Sequence, residues 1–132
     1  MDERNPNRRW LAAAGVNGFL AVALGAFAAH ALAQRISERS LAVFEIAVRY
    51  QMYHAIALLV SAALMERGRQ RAVLAASWCF LIGIVVFCGS LYALALSDVK
   101  WLGAITPIGG VAFLAGWLLL AAAAFRRKST GG

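Results

Sequence analysis

AVLAASWCFLIGIVVFCGSLYALAL, residues Ala72–Leu96, contains no charged side chain from one end to the other. A helix of about 20 apolar residues spans the hydrocarbon of a bilayer, and this run exceeds that length. Three further apolar runs surround it. Trp10–Ala33 is interrupted only by Asn17 and His30, Val43–Met65 follows, and the last run ends at Phe125. Short polar segments separate them: residues 1–9, Gln34–Ala42, Glu66–Arg71 and Ser97–Lys100. The alternation sets the fold class as all-α, an integral membrane four-helix bundle in one transmembrane domain over residues 1–132. Helices are expected at about 10–33, 43–65, 72–96 and 103–125, with flexible tails at 1–9 and 126–132.

Composition agrees with that reading. The chain is 62% hydrophobic and 14% charged, against about 25% charged in soluble domains. Its formal net charge of +7 flanks the apolar runs and lines no soluble face, so it reads as membrane-flanking charge and not as a nucleic-acid surface. Lysine and arginine cluster at residues 1–9, at Glu66–Arg71 and at Arg126–Lys128, and are sparse in the other two connections. The positive-inside bias therefore places both termini in the cytoplasm of a multi-pass inner (plasma) membrane protein. The first run is too long for the apolar core of a cleaved signal and is expected to remain as a helix. Cys79 and Cys88, nine residues apart on one helix, are separated by about 13 Å along its axis, which excludes a disulfide between them.

Local signals refine the ends and faces. Gly68 suits a positive φ in the Glu66–Arg71 turn. Thr106-Pro107 reads as N-cap and first position of the last helix, giving Pro107–Phe125 with Trp101–Ile105 at the interface. Ala21-x-x-x-Gly25-x-x-x-Ala29 and Ala112-x-x-x-Gly116 are small-residue tracks that let helices approach closely. They are expected to pack within the chain, the alternative being contact with another membrane protein or a second copy. Trp10 and Trp101 read as belt residues at opposite interfaces, and Trp78 and Trp117 as packing or lipid contacts.

The ionisable chemistry concentrates in Phe44-Glu-Ile-Ala-Val-Arg-Tyr-Gln-Met-Tyr-His54. Glu45 and Arg49, four residues apart with the acid first, are expected to pair in the bundle interior, because single charges in lipid are costly. Tyr53 follows Arg49 by a turn, and Tyr50 precedes His54 by a turn. His30, Ser90, Tyr92 and Thr106 fall in the same half of the bilayer, and His54 near its midplane. The candidate polar interior site is thus His30, Glu45, Arg49, Tyr50, Gln51, Tyr53, His54, Ser90, Tyr92 and Thr106, carried by a central second helix. Two histidines and one acid without motif spacing make no recognisable metal centre. No nucleophile arrangement, phosphate loop or dinucleotide fingerprint is present, so no cofactor and no catalytic residue is expected.

Gly25-Ala-Phe-Ala-Ala-His-Ala-Leu32, Tyr50-Gln-Met-Tyr-His-Ala-Ile-Ala-Leu-Leu59, Gly89-Ser-Leu-Tyr-Ala-Leu94 and Ile105-Thr-Pro-Ile-Gly-Gly110 occur in order. In these segments the chain resembles the bacterial YgdD/YwdK-type small membrane proteins, a domain of unknown function related to the animal transmembrane protein 256 group. The resemblance implies four spans in the inner membrane and draws attention to His30, Tyr50, Gln51, His54, Ser90, Tyr92, Thr106 and Pro107; it implies no activity. The expected function is a non-enzymatic structural or accessory membrane protein in contact with lipid. A small proton-linked transporter or permease using the His30/Glu45/Arg49/His54 interior is the alternative.

Overall fold

The computed structural model describes residues 5–68 and 70–125. Four helices long and apolar enough to cross a membrane run through it: α1 Pro6–Leu32, α2 Glu38–Glu66, α3 Arg71–Ser97 and α4 Leu102–Phe125. They alternate in direction. One end of the bundle, the termini face, holds the start of α1, the α2–α3 turn and the end of α4. The opposite, loop face holds the other two connections. The tail expected at 126–132 lies outside the described residues.

Two helices begin earlier than the apolar runs suggest, because capping residues and not hydropathy set their starts. Asn5 precedes Pro6 and its side chain accepts from the Asn7 N–H at 3.4 Å, while Pro6 occupies a first-turn position that needs no N–H. Residues 6–9, expected in a flexible tail, are therefore helical. Ser37 Oγ accepts from the Ser40 N–H at 3.1 Å, with Glu38 in the first turn, a favourable place for an acid at a helix N-terminus.

The last helix starts within a residue of the 103 expected from its apolar run, and not at the Thr106-Pro107 signal. It begins at Leu102, and Pro107 lies inside it. Thr106 does not cap; its hydroxyl turns to Ser90 at 2.7 Å. Proline there deletes only the bond to the Gly103 carbonyl, a loss confined to the second turn. Asp98, at φ 56°, ends α3 with its N–H on the Leu94 carbonyl at 2.8 Å. Gly68 takes φ 85° in the α2–α3 turn, as a glycine is free to do.

A heptad seam fixes which faces meet. The buried positions of α1 include Asn7, Trp10, Ala14, Asn17, Ala21 and Ala28, and those of α2 include Phe44, Ala47, Gln51, His54, Leu58, Ser61 and Met65. Their three-and-four spacing is that of helices packed at shallow angles. α2 packs on α1 and α3, and α3 on α2 and α4, so α2 and α3 share the centre. A one-residue π insertion at Ile84–Cys88 advances the buried stripe of α3 midway along its length.

Backbone approach is closest between α3 and α4. A Cβ on Gly109 would collide with the Phe87 backbone, and one on Gly116 would come within 2.6 Å of the Phe80 ring. The tight track is thus Gly109 and Gly116, seven positions apart with Phe113 between them, and not Ala112–Gly116. On α1, Gly25 faces Val48 of α2 at 3.2 Å from an added Cβ. Trp10, expected as a belt residue, does not face outward. With α1 starting at Pro6 it sits a turn inside the bundle, buried edge-on against Trp78 at 5.1 Å.

Candidate functional site

The interior polar groups fall into separate sets, each joining a different pair or trio of helices. Near mid-height, the Tyr92 hydroxyl donates to Gln51 Oε1 at 2.7 Å. The Gln51 amide donates to Asn17 Oδ1 at 3.0 Å, and the Asn17 amide donates to the Ala13 carbonyl at 2.9 Å. This ladder crosses α3, α2 and α1 in one direction and ends on a backbone carbonyl. Tyr92 reaches it because helical side chains lean toward the N-terminus, which in α3 means toward mid-height.

Closer to the loop face, Ser90 and Thr106 join α3 to α4 through their hydroxyls at 2.7 Å, and the Ser90 hydroxyl lies 3.0 Å from the Phe87 carbonyl. At the termini face, Asn7 Nδ2 donates to Glu66 Oε1 at 2.6 Å and ties the start of α1 to the end of α2.

His54 forms the fourth set. Its Nδ1 lies 2.6 Å from the Tyr50 carbonyl, and its Nε2 lies 3.1 Å from the indole N–H of Trp117 on α4. A carbonyl only accepts and an indole N–H only donates. The imidazole is therefore neutral, with its proton on Nδ1. Phe113 stacks on the ring with centroids 3.5 Å apart and planes 8° from parallel, and Phe80 flanks it at 5.6 Å.

Beside this ring α2 and α4 diverge over α3 and leave a lateral groove of about 790 Å³. Tyr50, Tyr53, His54, Phe87, Phe113 and Trp117 form its aromatic walls, and Pro107 and Gly110 keep its α4 side low. The π insertion carries Phe87, which lies 4.7 Å from Tyr50 between ring centroids.

Not every candidate residue joins these sets. Among the described residues no ion pair joins Glu45 to Arg49; Glu45 is half-buried and Arg49 is exposed. The heptad explains the correction. Arg49 stands midway between the buried positions Ala47 and Gln51 and so points opposite the seam, where its long stem can lean toward the loop-side interface. His30, within the π turn Ala28–Leu32 of α1, is also exposed. Tyr50 and Tyr53 line the groove with 39% and 54% of their surface accessible.

Asn7, Asn17, Phe87, Phe113 and Trp117 were absent from the candidate set. Asn17 could have been found, since an amide between Val16 and Gly18 in an apolar run needs partners. The pairing of Trp117 with His54, 63 residues away, has no local signal.

Comparison with known proteins gives this architecture a family. Residues 24–110 match the family described as Protein of unknown function (DUF423). The chain belongs to it. It is 45% identical to UPF0382 membrane protein YwdK of Bacillus subtilis over 112 residues, 84% of this chain and 91% of that protein. Against a UPF0382 membrane protein of Haemophilus influenzae it is 44% identical over 122 residues, 92% of this chain and 97% of the relative. Against UPF0382 inner membrane protein YgdD of Escherichia coli it is 39% identical over 125 residues, 95% of each. No solved structure matches. Family membership and the four spanning helices make the chain a multi-pass integral protein of the inner membrane, in contact with lipid.

Proposed function

We propose that this DUF423 protein is a non-enzymatic structural or accessory membrane protein, with both termini in the cytoplasm. Its interior polar groups serve to lock the bundle. One observation carries the reading: the Tyr92–Gln51–Asn17 ladder is closed, each amide group finding a partner and the last proton donor resting on the Ala13 carbonyl. Carboxamides do not titrate in the physiological range, and a backbone carbonyl is a terminus for a proton and not a relay. His54 is likewise engaged at both nitrogens. Uneven loop charge supports the orientation.

The alternative, a proton-linked transporter, requires a path from water to mid-height and two access states. The observed groove opens sideways and is walled by aromatic rings, which favours the accessory role. Proteoliposomes loaded with a pH-sensitive dye and given an imposed pH gradient test the choice. The accessory reading expects the same proton leak with and without the protein. A protein-dependent flux abolished by His54→Phe would overturn it in favour of transport.

A further inference from the structure

Beyond the accessory role, we infer that the lateral groove between α2 and α4 is a binding site for a lipid-soluble, flat-ringed carbonyl compound of the quinone class.

The argument rests on depth, unmet hydrogen-bonding capacity and shape. The midpoint of α2 falls at Met52 and that of α4 between Phe113 and Leu114. Phe113 stacks on His54, so both midpoints lie at the level of the groove. That level is the centre of a hydrocarbon layer about 30 Å thick.

Tyr50 and Tyr53 stand there on the groove wall, and among the described residues neither hydroxyl has a hydrogen-bond partner. Most tyrosines in membrane proteins sit at the interfaces, where the hydroxyl is wet. From the centre, a phenol is too short to reach either interface. An O–H donor without an acceptor in hydrocarbon is costly. Two of them on one groove call for an occupant that brings acceptor oxygens to mid-depth.

The protein's other polar groups here are already committed. Nδ1 of His54 faces the Tyr50 carbonyl and Nε2 takes the Trp117 N–H, so the unmet capacity of the groove lies in the two phenol hydroxyls, whose O–H donors each call for an acceptor. A carbonyl compound supplies acceptors and needs no donor in return. Phospholipid ester carbonyls do so at the interface, about 15 Å away by the thickness above.

The walls then select a ring. Tyr50 and Phe87, tilted against each other with centroids 4.7 Å apart, line the groove beside Gly110, where an added Cβ would first meet Phe87 at 3.8 Å. Offset stacking suits a flat conjugated ring. The groove volume of about 790 Å³ is within the range of small-molecule sites, and its lateral opening admits a ligand dissolved in the bilayer.

The test uses the full-length protein in phospholipid nanodiscs, titrated with a decyl-substituted benzoquinone. Quenching of tryptophan fluorescence reports occupancy, since Trp117 lines the groove. Decylbenzene, with the same tail and a ring without acceptors, is the competitor control. Saturable quenching, unaffected by decylbenzene and weakened about tenfold in Tyr50→Phe/Tyr53→Phe, is expected, since each lost hydrogen bond costs about twofold to tenfold. Quenching that rises without saturation, an unchanged affinity in the double variant, or displacement by decylbenzene would overturn the inference. Should the double variant fail to fold, Gly110→Leu, which fills the groove, takes its place; retained binding in that variant overturns the inference equally. Native mass spectrometry showing a phospholipid that the quinone does not displace would also refute it.

Discussion

Replacing Gln51 with leucine is the most informative single perturbation of this bundle. The change removes the acceptor of the Tyr92 hydroxyl and the donor to Asn17 Oδ1, severing α2 from both neighbours in one step. Interhelical hydrogen bonds in membranes average about 0.6 kcal/mol and reach about 1.7. Two bonds therefore give roughly 1–3 kcal/mol of lost stability. Asn17 is 8% exposed, so its stranded oxygen has no lipid-side or aqueous partner to turn to, and the upper half of that range is expected. Tyr92→Phe alone leaves only the Gln51 oxygen unmet and should cost about 1 kcal/mol. The double variant Gln51→Leu/Tyr92→Phe should be no less stable than Gln51→Leu, because the second change removes a donor that the first has already orphaned. Equilibrium unfolding of the purified protein in mixed micelles, titrated with a denaturing detergent, measures all three. Additive losses, or a Gln51→Leu cost below about 0.3 kcal/mol, would mean that the ladder does not hold the helices together.

Glycines on α4 and α1 should respond oppositely. Gly109→Ala must push α3 and α4 apart and should abolish or severely weaken folding, whereas Gly15→Ala and Gly18→Ala, whose added Cβ atoms meet nothing within 4 Å, should stabilise by about 0.5–1 kcal/mol each through reduced backbone entropy; thermal melts in detergent distinguish them. Glu45→Ala and Arg49→Leu should combine additively within about 0.3 kcal/mol, since no ion pair joins the two residues; a larger coupling in the same melts would restore an interior pair. A cysteine placed at Ser37 or Val99, in a background without Cys79 and Cys88, should react with a membrane-impermeant maleimide added outside intact cells, and one at Gly68 should not; the reverse pattern would invert the orientation.

The four spans, the fold class and the membrane could be read directly from the chain, because a bilayer imposes one strong condition, twenty apolar residues between polar breaks, that needs no knowledge of neighbours. Helix starts are encoded too, in Asn5-Pro6 and Ser37-Glu38, ahead of the points where hydropathy rises. Arg49 shows where reading by segment stops. Its spacing from Glu45 is right for a pair, yet a pair must also face inward, and that is fixed by the seam Phe44, Ala47, Gln51, His54, which turns Arg49 away.

Contacts between distant helices were another matter. Gln51 meets Asn17 and Tyr92, and His54 meets Trp117, across 34, 41 and 63 residues. Those meetings depend on helix rotation, on the π insertion that advances α3 past Ile84, and on Gly109 letting α4 approach Phe87. Hydropathy determines that a helix lies in the membrane. Only packing determines which side of it looks inward, because most lipid-facing and core-facing residues here are apolar alike.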